Sequence, residues 1–223
     1  RTTRFMLTEE AHHMFVGETG VERVVGRTAE LMKLDPNGDA RAQGGIPLDI
    51  IQKHLNLWYT LSLDLFGSEV SSNAASYFAA GLKGRAKESS YEDHKALDGT
   101  YRMSLMKDGA VVEDDVPLRN AMNEVLRDEY ADDCQRGVDR WNKRLAESDI
   151  AFRFALPSKR FHRHIGLYAN MPFSPEGRLL SQSEYDQNKD KWIPSEADRA
   201  YVRSLMQPVT EPGKIANWLG KPK

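Results

Sequence analysis

A single cysteine, Cys134, occurs in 223 residues. An internal disulfide is therefore excluded, and the expected setting is a reducing one, the cytoplasm. The sequence has no run of about 18 uninterrupted apolar residues, which excludes a membrane-spanning helix. It also lacks an excess of either charge, since 31 Lys and Arg stand interspersed with 33 Asp and Glu for a formal net charge of −2. That balance excludes the basic footprint of a general nucleic-acid binder. Internal repeats and low-complexity tracts are absent. No initiator Met opens the chain, and neither a signal nor a transit peptide precedes the first helical pattern, so it is expected to be a piece cut from a longer protein. What is present is a globular composition, 40% apolar and 29% charged, sufficient for one large domain or two small ones.

Helical spacing runs from about Thr3 to Leu34 and stops at Asp35-Pro36-Asn37-Gly38. After Gln43-Gly44-Gly45, a second helix is expected over Leu48 to Leu82, apolar nearly all round between Leu55 and Phe66 as in a buried helix. Met103 to Met106 and Ala110 to Val112 flank Lys107-Asp108-Gly109, which predicts a β-hairpin. A third, charged amphipathic helix is expected over Leu118 to Leu145. Beyond it the pattern is irregular, with a strand predicted at Phe152 to Leu156 and a turn at Ser174-Pro175-Glu176-Gly177. Two short helices come next, capped at Ser183 and Ser195. The reading is mainly α with a small hairpin and an irregular C-terminal extension. It divides the chain into a helical part, 1–145, with the hairpin inserted near 101–113, and a wrapping tail, 146–223.

The chemistry-bearing motif is Thr8-Glu9-Glu10-Ala11-His12-His13-Met14. It holds two overlapping Glu-x-x-His pairs, Glu9 with His12 and Glu10 with His13. Either places a carboxylate and an imidazole on one helix face, one turn apart, where both can bind one metal while the carboxylate reaches a second. The face through Glu10 and His13 continues as Met6, Gly17, Val24, Thr28 and Leu31, whereas that through Glu9 and His12 continues as Phe5, Val16, Arg23, Arg27 and Glu30. Ligands of a bundle point inward, so the apolar continuation selects Glu10 and His13. A solvated helix face with an ordinary histidine pair is the competing reading of the motif alone.

Several longer stretches resemble one family. FMLTEEAHHMFVGE at 5–18, SEVSSNAASYFAAGLKGR at 68–85 and RGVDRWN at 136–142 are similar to the benzoyl-CoA oxygenase component B family. So are FHRHIGLYA at 161–169, SPEGRLL at 174–180, DRAYVRSLM at 198–206 and EPGKIANW at 211–218. The resemblance implies a ferritin-like helical bundle, partial here, with a non-haem di-iron centre of two iron ions. It implies epoxidation of the ring of benzoyl-CoA with O2 in aerobic benzoate breakdown. Electrons are expected from NADPH through a separate flavin and iron–sulfur reductase. It maps the family's last Glu-x-x-His onto Glu10 and His13 and leaves the remaining ligands upstream of Arg1. On that reading the isolated chain is inactive.

Other residues have double readings. Asp64, Ser68, Glu69 and Asn73 on the second helix are candidates for supporting hydrogen bonds around the metal site or for a pocket wall, or else they mark a helix entering solvent. Lys159, Arg160 and Arg163 lie in a basic run suited to the phosphates of CoA, or to a solvated surface. Lys83 and Arg85 share that ambiguity. Trp58, Tyr59, Phe66, Tyr77 and Phe78 are expected in the core. Alternatives to the main functional reading are a related di-iron enzyme acting on another aryl-CoA, such as phenylacetyl-CoA, and a non-catalytic helical docking half. A homo-oligomer is also possible for such a chain.

Overall fold

The structure, a computed structural model, describes residues 2–71 and 99–206. The first helix, α1 (Thr2–Leu34), is continuous over 33 residues. It ends at Asp35, whose Oδ1 accepts from the backbone N–H groups of Asn37 and Asp39 at 2.9 and 3.0 Å. The connection to the next helix is drawn tight by Gly45. A Cβ there would meet Leu31 Cδ1 at 2.6 Å, and its carbonyl accepts from Tyr201 Oη at 2.6 Å. Thr28 Oγ1 donates to the Ile46 carbonyl at 2.8 Å, fixing the turn against the helix it leaves.

Helix α2 (Leu48–Asp64) is shorter than the sequence suggests. It stops because Gly67 takes φ +84° and its N–H returns to the Asp64 carbonyl at 3.1 Å, a left-handed helix ending natural to glycine. The expected continuation to Leu82 thus fails by Leu65, and residues 72–85, including Asn73, Tyr77, Phe78, Lys83 and Arg85, lie outside the described residues. Nor is the stretch from Leu55 to Phe66 buried all round. Tyr59 and Leu63 are enclosed, but Trp58 is 62% exposed and Leu65 87% exposed.

Strands β1 (Thr100–Lys107) and β2 (Ala110–Pro117) pair antiparallel, with Lys107 opposite Ala110 and Thr100 opposite Pro117. Asp108 and Gly109 both take positive φ, 50° and 78°, the requirement of the two-residue turn that matches strand twist. The hairpin extends several residues beyond its predicted bounds. A single 3-10 turn (Leu118–Asn120) leads into α3 (Met122–Glu147). Its first turn is capped from a distance, for Ser71 Oγ accepts the Asn123 N–H at 2.7 Å. Helices α4 (Gln182–Trp192) and α5 (Glu196–Leu205) begin with complete capping boxes, Ser181 with Glu184 and Ser195 with Asp198. The first cap is Ser181 rather than Ser183, because Ser181 has the glutamate three residues on.

The core joins α1, α2, α3 and the segment after α3 through Val25, Ala29, Leu48, Ile51, Val138, Leu145 and Phe154. The stretch Phe152 to Leu156 is not a strand. Its peptide groups are held by side-chain amides instead. Asn142 donates to the Phe154 carbonyl at 2.8 Å and accepts from its N–H at 2.7 Å. Gln52 does the same for Ala155 at 2.7 and 3.0 Å. Two helices thereby grip one extended segment, supplying the pairing that a neighbouring strand would otherwise provide. Among the described residues the result is a mainly α, partial bundle with one small hairpin.

Asn142→Leu keeps the side-chain volume but removes both bonds to the buried Phe154 peptide. The expected cost is about 2–3 kcal/mol, read as a lower urea midpoint at unchanged slope. A loss below about 0.5 kcal/mol would show that the amide grip is incidental.

Candidate functional site

Glu10 and His13 do share a face of α1. Glu10 Oε2 lies 3.6 Å from His13 Nδ1, with the two side chains 68% and 63% exposed. The apolar continuation of that face is buried only at its far end. Thr28 and Leu31 are 1% and 6% exposed, whereas Met6 is 59% and Val24 38% exposed, and Gly17 is open. The expectation of an inward face along the whole helix is therefore corrected: α1 enters the core near Val21 and projects from it before that. Glu9 and His12 are exposed as well. As a half-set, one carboxylate and one imidazole one turn apart fit an iron ion. Among the described residues no group of three or more His, Cys, Asp or Glu is assembled to hold a metal, so the pair fits a shared site and does not complete one.

The remaining candidates converge elsewhere. Asp64, the last residue of α2, is 8% exposed. Its Oδ1 accepts from Arg163 Nε at 2.5 Å and its Oδ2 from the His164 N–H at 2.9 Å. Arg163, 2% exposed, also donates to the carbonyls of Lys159 and Ile165 at 3.1 and 3.3 Å. Its guanidinium thus holds the 159–165 turn together and is not free to receive a phosphate. Glu69, also buried, accepts from the Leu167 N–H at 2.7 Å. A Cβ on Gly166 would come within 2.5 Å of the Glu69 carboxylate, so the close approach requires glycine there, at φ +87°. Ser68 is exposed, and its carbonyl accepts from Asn123 Nδ2 at 2.8 Å.

Glu69, Lys159, Arg160 and Arg163 line one charged pocket of about 270 Å³ between the hairpin, α3 and the tail. Lys159 is paired with Asp128, which also accepts from Tyr101 Oη. Arg160 is exposed and lies over the Tyr168 ring, 5.1 Å from its centroid. Among the described residues it has no carboxylate partner, which leaves it the cation of the run most available to an anion. Two groups of candidates that are far apart in sequence are therefore one network. Among the described residues, no hydrogen bond or ion pair joins that network to Glu10 or His13.

Sequence reasoning missed Arg127. It sits on the charged helix α3 yet is 1% exposed, paired with Glu124 and donating to the Leu63 and Gly67 carbonyls. Burial, and then the neighbouring Arg163, lower its pKa to about 10. Its periodicity resembles that of the exposed arginines around it, so no local signal distinguishes it. Cys134 is half-buried and its pKa is raised by burial, opposite to an activated thiol.

By fold the chain is a partial helical bundle that carries the Glu10 and His13 pair on one exposed helix face. By sequence it belongs to the benzoyl-CoA oxygenase component B family. It is 48% identical, over 226 residues and 100% of its length, to the component B of Aromatoleum evansii, and it spans 48% of that protein. No protein-family model matches it. No helix among the described residues is long and apolar enough to cross a membrane.

The network generates two expected outcomes. Asp64→Ala leaves Arg163 charged, buried and unpaired, and should cost about 3–5 kcal/mol; adding Arg163→Met should recover much of that loss. Chemical denaturation of the single and double variants checks both, and a double variant as unstable as Asp64→Ala would refute the pairing. The second concerns pH. His162, on the same turn, contacts Tyr185 Oη at 2.8 Å and the His164 ring. Burial, then His164, lower its pKa, against the pull of Asp64. A histidine held neutral in the fold contributes stability above its unfolded pKa, and that contribution is lost as pH falls below about 6.5. Unfolding free energy should therefore fall between pH 7.5 and 5.5, and His162→Asn, which tolerates the left-handed backbone at φ 50°, should flatten that slope. An unchanged slope would exclude His162 as its source.

Proposed function

We propose that this chain is the part of a benzoyl-CoA oxygenase component B that contributes Glu10 and His13 to a non-haem di-iron centre. The observation that carries the reading is the 48% identity across the whole chain to a protein of that name. The 3.6 Å approach of Glu10 to His13 on one face supports the assignment of the pair. The other iron ligands come from the half of the protein that this chain does not span.

The substrate is benzoyl-CoA, and the products balance as the ring 2,3-epoxide, water and NADP+ from benzoyl-CoA, O2, NADPH and a proton. Held in part by Glu10 and His13, a di-iron centre would supply dioxygen activation, with the electrons coming from NADPH through a separate flavin and iron–sulfur reductase. Glu10 and His13 hold the metal at the projecting end of α1. Arg160, with Lys159 displaced from Asp128, meets a phosphate of CoA, while Arg163 positions both by bracing the turn through Asp64. The Tyr168 ring, over which Arg160 lies, helps to hold the guanidinium toward that end of the substrate.

In the intact protein, Glu10→Ala and His13→Ala should lose most of the bound iron, and His12→Ala should retain it. Iron per chain by atomic emission decides the matter, and retention in the first two with loss in the third reverses the register. With the reductase present, oxygen uptake should track benzoyl-CoA and not free benzoate. Uptake with benzoate alone would rule out the thioester as substrate.

A further inference from the structure

The charged pocket contains an anion of its own. Asp128 of α3 accepts from Tyr101 Oη of β1 through Oδ2 and from Lys159 Nζ through Oδ1. All three residues line the pocket, so one carboxylate joins three stretches that are distant in sequence. The other lining carboxylates are engaged differently. Glu124 pairs with Arg127, Glu113 accepts from Ser104 Oγ, and Glu69 accepts from the Leu167 N–H. Among the described residues, none of these three pairs with Lys159 or Arg160. The two neighbouring cations are therefore unequal. Arg160 is exposed over the Tyr168 ring, whereas Lys159 is occupied, and an incoming anion gains it only by taking it from Asp128.

The strength of the pair decides whether such an exchange is feasible. The Lys159 and Asp128 side chains are 43% and 35% exposed, and an ion pair that open to water is worth no more than about fivefold in an equilibrium constant. A phosphate oxygen can replace a carboxylate at that level. The Asp64–Arg163 pair cannot exchange in this way, because both side chains are enclosed and separation would leave an unpaired charge inside the protein. Tyr101 eases the exchange further. Its phenol stays on Asp128 when Lys159 leaves, so the carboxylate is not left bare. Burial, and then this bond, raise the Tyr101 pKa, which keeps the phenol a donor at neutral pH.

We propose that Asp128 is a built-in competitor for the ligand phosphate: it holds Lys159 while the pocket is empty, yields it on binding and takes it back on release. Tyr101 is the positioning residue that satisfies Asp128 in the interval. The proposal rests on the reading of this pocket as the site of a CoA phosphate, and it adds how that site is regulated. Contacts remote from the ring bind substrate and transition state alike, so strengthening them lowers KM without raising kcat. Asp128 holds that remote affinity down, which speeds departure of a product carrying the same phosphate.

The test is calorimetric titration of intact component B with adenosine 3′,5′-bisphosphate, followed by oxygen uptake with benzoyl-CoA and the reductase. Asp128→Asn should bind the nucleotide about three- to fivefold more tightly, since Lys159 is then free from the start. Tyr101→Phe should bind it about twofold more weakly, because Asp128 then grips Lys159 harder. In the Asp128→Asn background the same change should have no effect on binding, and adding Lys159→Gln there should cancel the gain. In turnover, Asp128→Asn should lower KM, with kcat unchanged or reduced. A purely structural brace predicts the opposite sign, for its loss would loosen the hairpin and the turn, weaken nucleotide binding and raise KM. Equal or weaker binding by Asp128→Asn overturns the proposal, as does absence of binding in every variant. Oxygen uptake separates this outcome from the reading beneath it. Tighter binding by Asp128→Asn without uptake on benzoyl-CoA sinks the oxygenase reading and leaves the exchange standing, whereas uptake without tightening does the reverse.

Discussion

One helix has two environments, and the rest of the molecule depends on how it is held. Helix α1 is unbroken for 33 residues, about 50 Å at the usual rise. Val25 and Ala29 are fully enclosed against α2, α3 and Phe154, and Thr28 and Gly45 pin its exit. In its first half the large apolar side chains Met6, Met14, Phe15 and Val16 are exposed, and Glu18 pairs with Arg140 of α3. A continuous hydrogen-bonded helix transmits the orientation set by the core to residues well outside it. The core end therefore determines where Glu10 and His13 point, although neither touches the core.

That division explains which features are legible in the sequence. The hairpin is legible because Asp108-Gly109 between alternating residues has a local cause, the two positive φ angles of the turn. The α1 stop is legible for a similar reason, in Asp35-Pro36-Asn37-Gly38. The choice of Glu10 and His13 over Glu9 and His12 uses the apolar continuation through Thr28 and Leu31, and those two residues are buried. The same pattern overstates burial at Met6 and Val24. Periodicity reports the face a helix prefers to cover, and it is silent on whether the covering partner belongs to the same stretch of chain.

The illegible features depend on contacts distant in sequence. Arg127 and Arg163 look like members of solvated basic runs, and both are enclosed because the Leu63 and Gly67 carbonyls meet the first and Asp64 meets the second. Asn142 and Gln52 look like surface amides, yet each replaces one rung of a sheet for Phe154 or Ala155. The strand expected at Phe152 to Leu156 does not form, because side-chain amides of Gln52 and Asn142 take the peptide groups that a neighbouring strand would pair. The α2 overrun has the opposite cause, a local one. Gly67 is visible in the sequence, but the strength of the apolar pattern on both sides hides its left-handed turn.

Buried charge near the end of α2 bears on function through placement rather than through direct chemistry. Asp64 ends α2 and Glu69 lies in the turn that follows it, whereas Arg163 and the Leu167 N–H belong to the 158–171 segment about a hundred residues away. Each carboxylate accepts a backbone N–H of the 158–171 segment, and Asp64 adds the guanidinium. Such pairs add little net stability compared with apolar packing of equal volume, but breaking one leaves an unpaired charge inside the protein. Their effect is to permit one arrangement of the turn and penalise others. Arg160, on that turn and stacked on Tyr168, inherits a fixed position without being buried itself. An exposed cation on a rigid turn loses less conformational entropy on meeting an anion than one on a mobile loop. The enclosed residues Asp64 and Arg163 thus act on any ligand of this pocket through Arg160, the group of the run left facing outward.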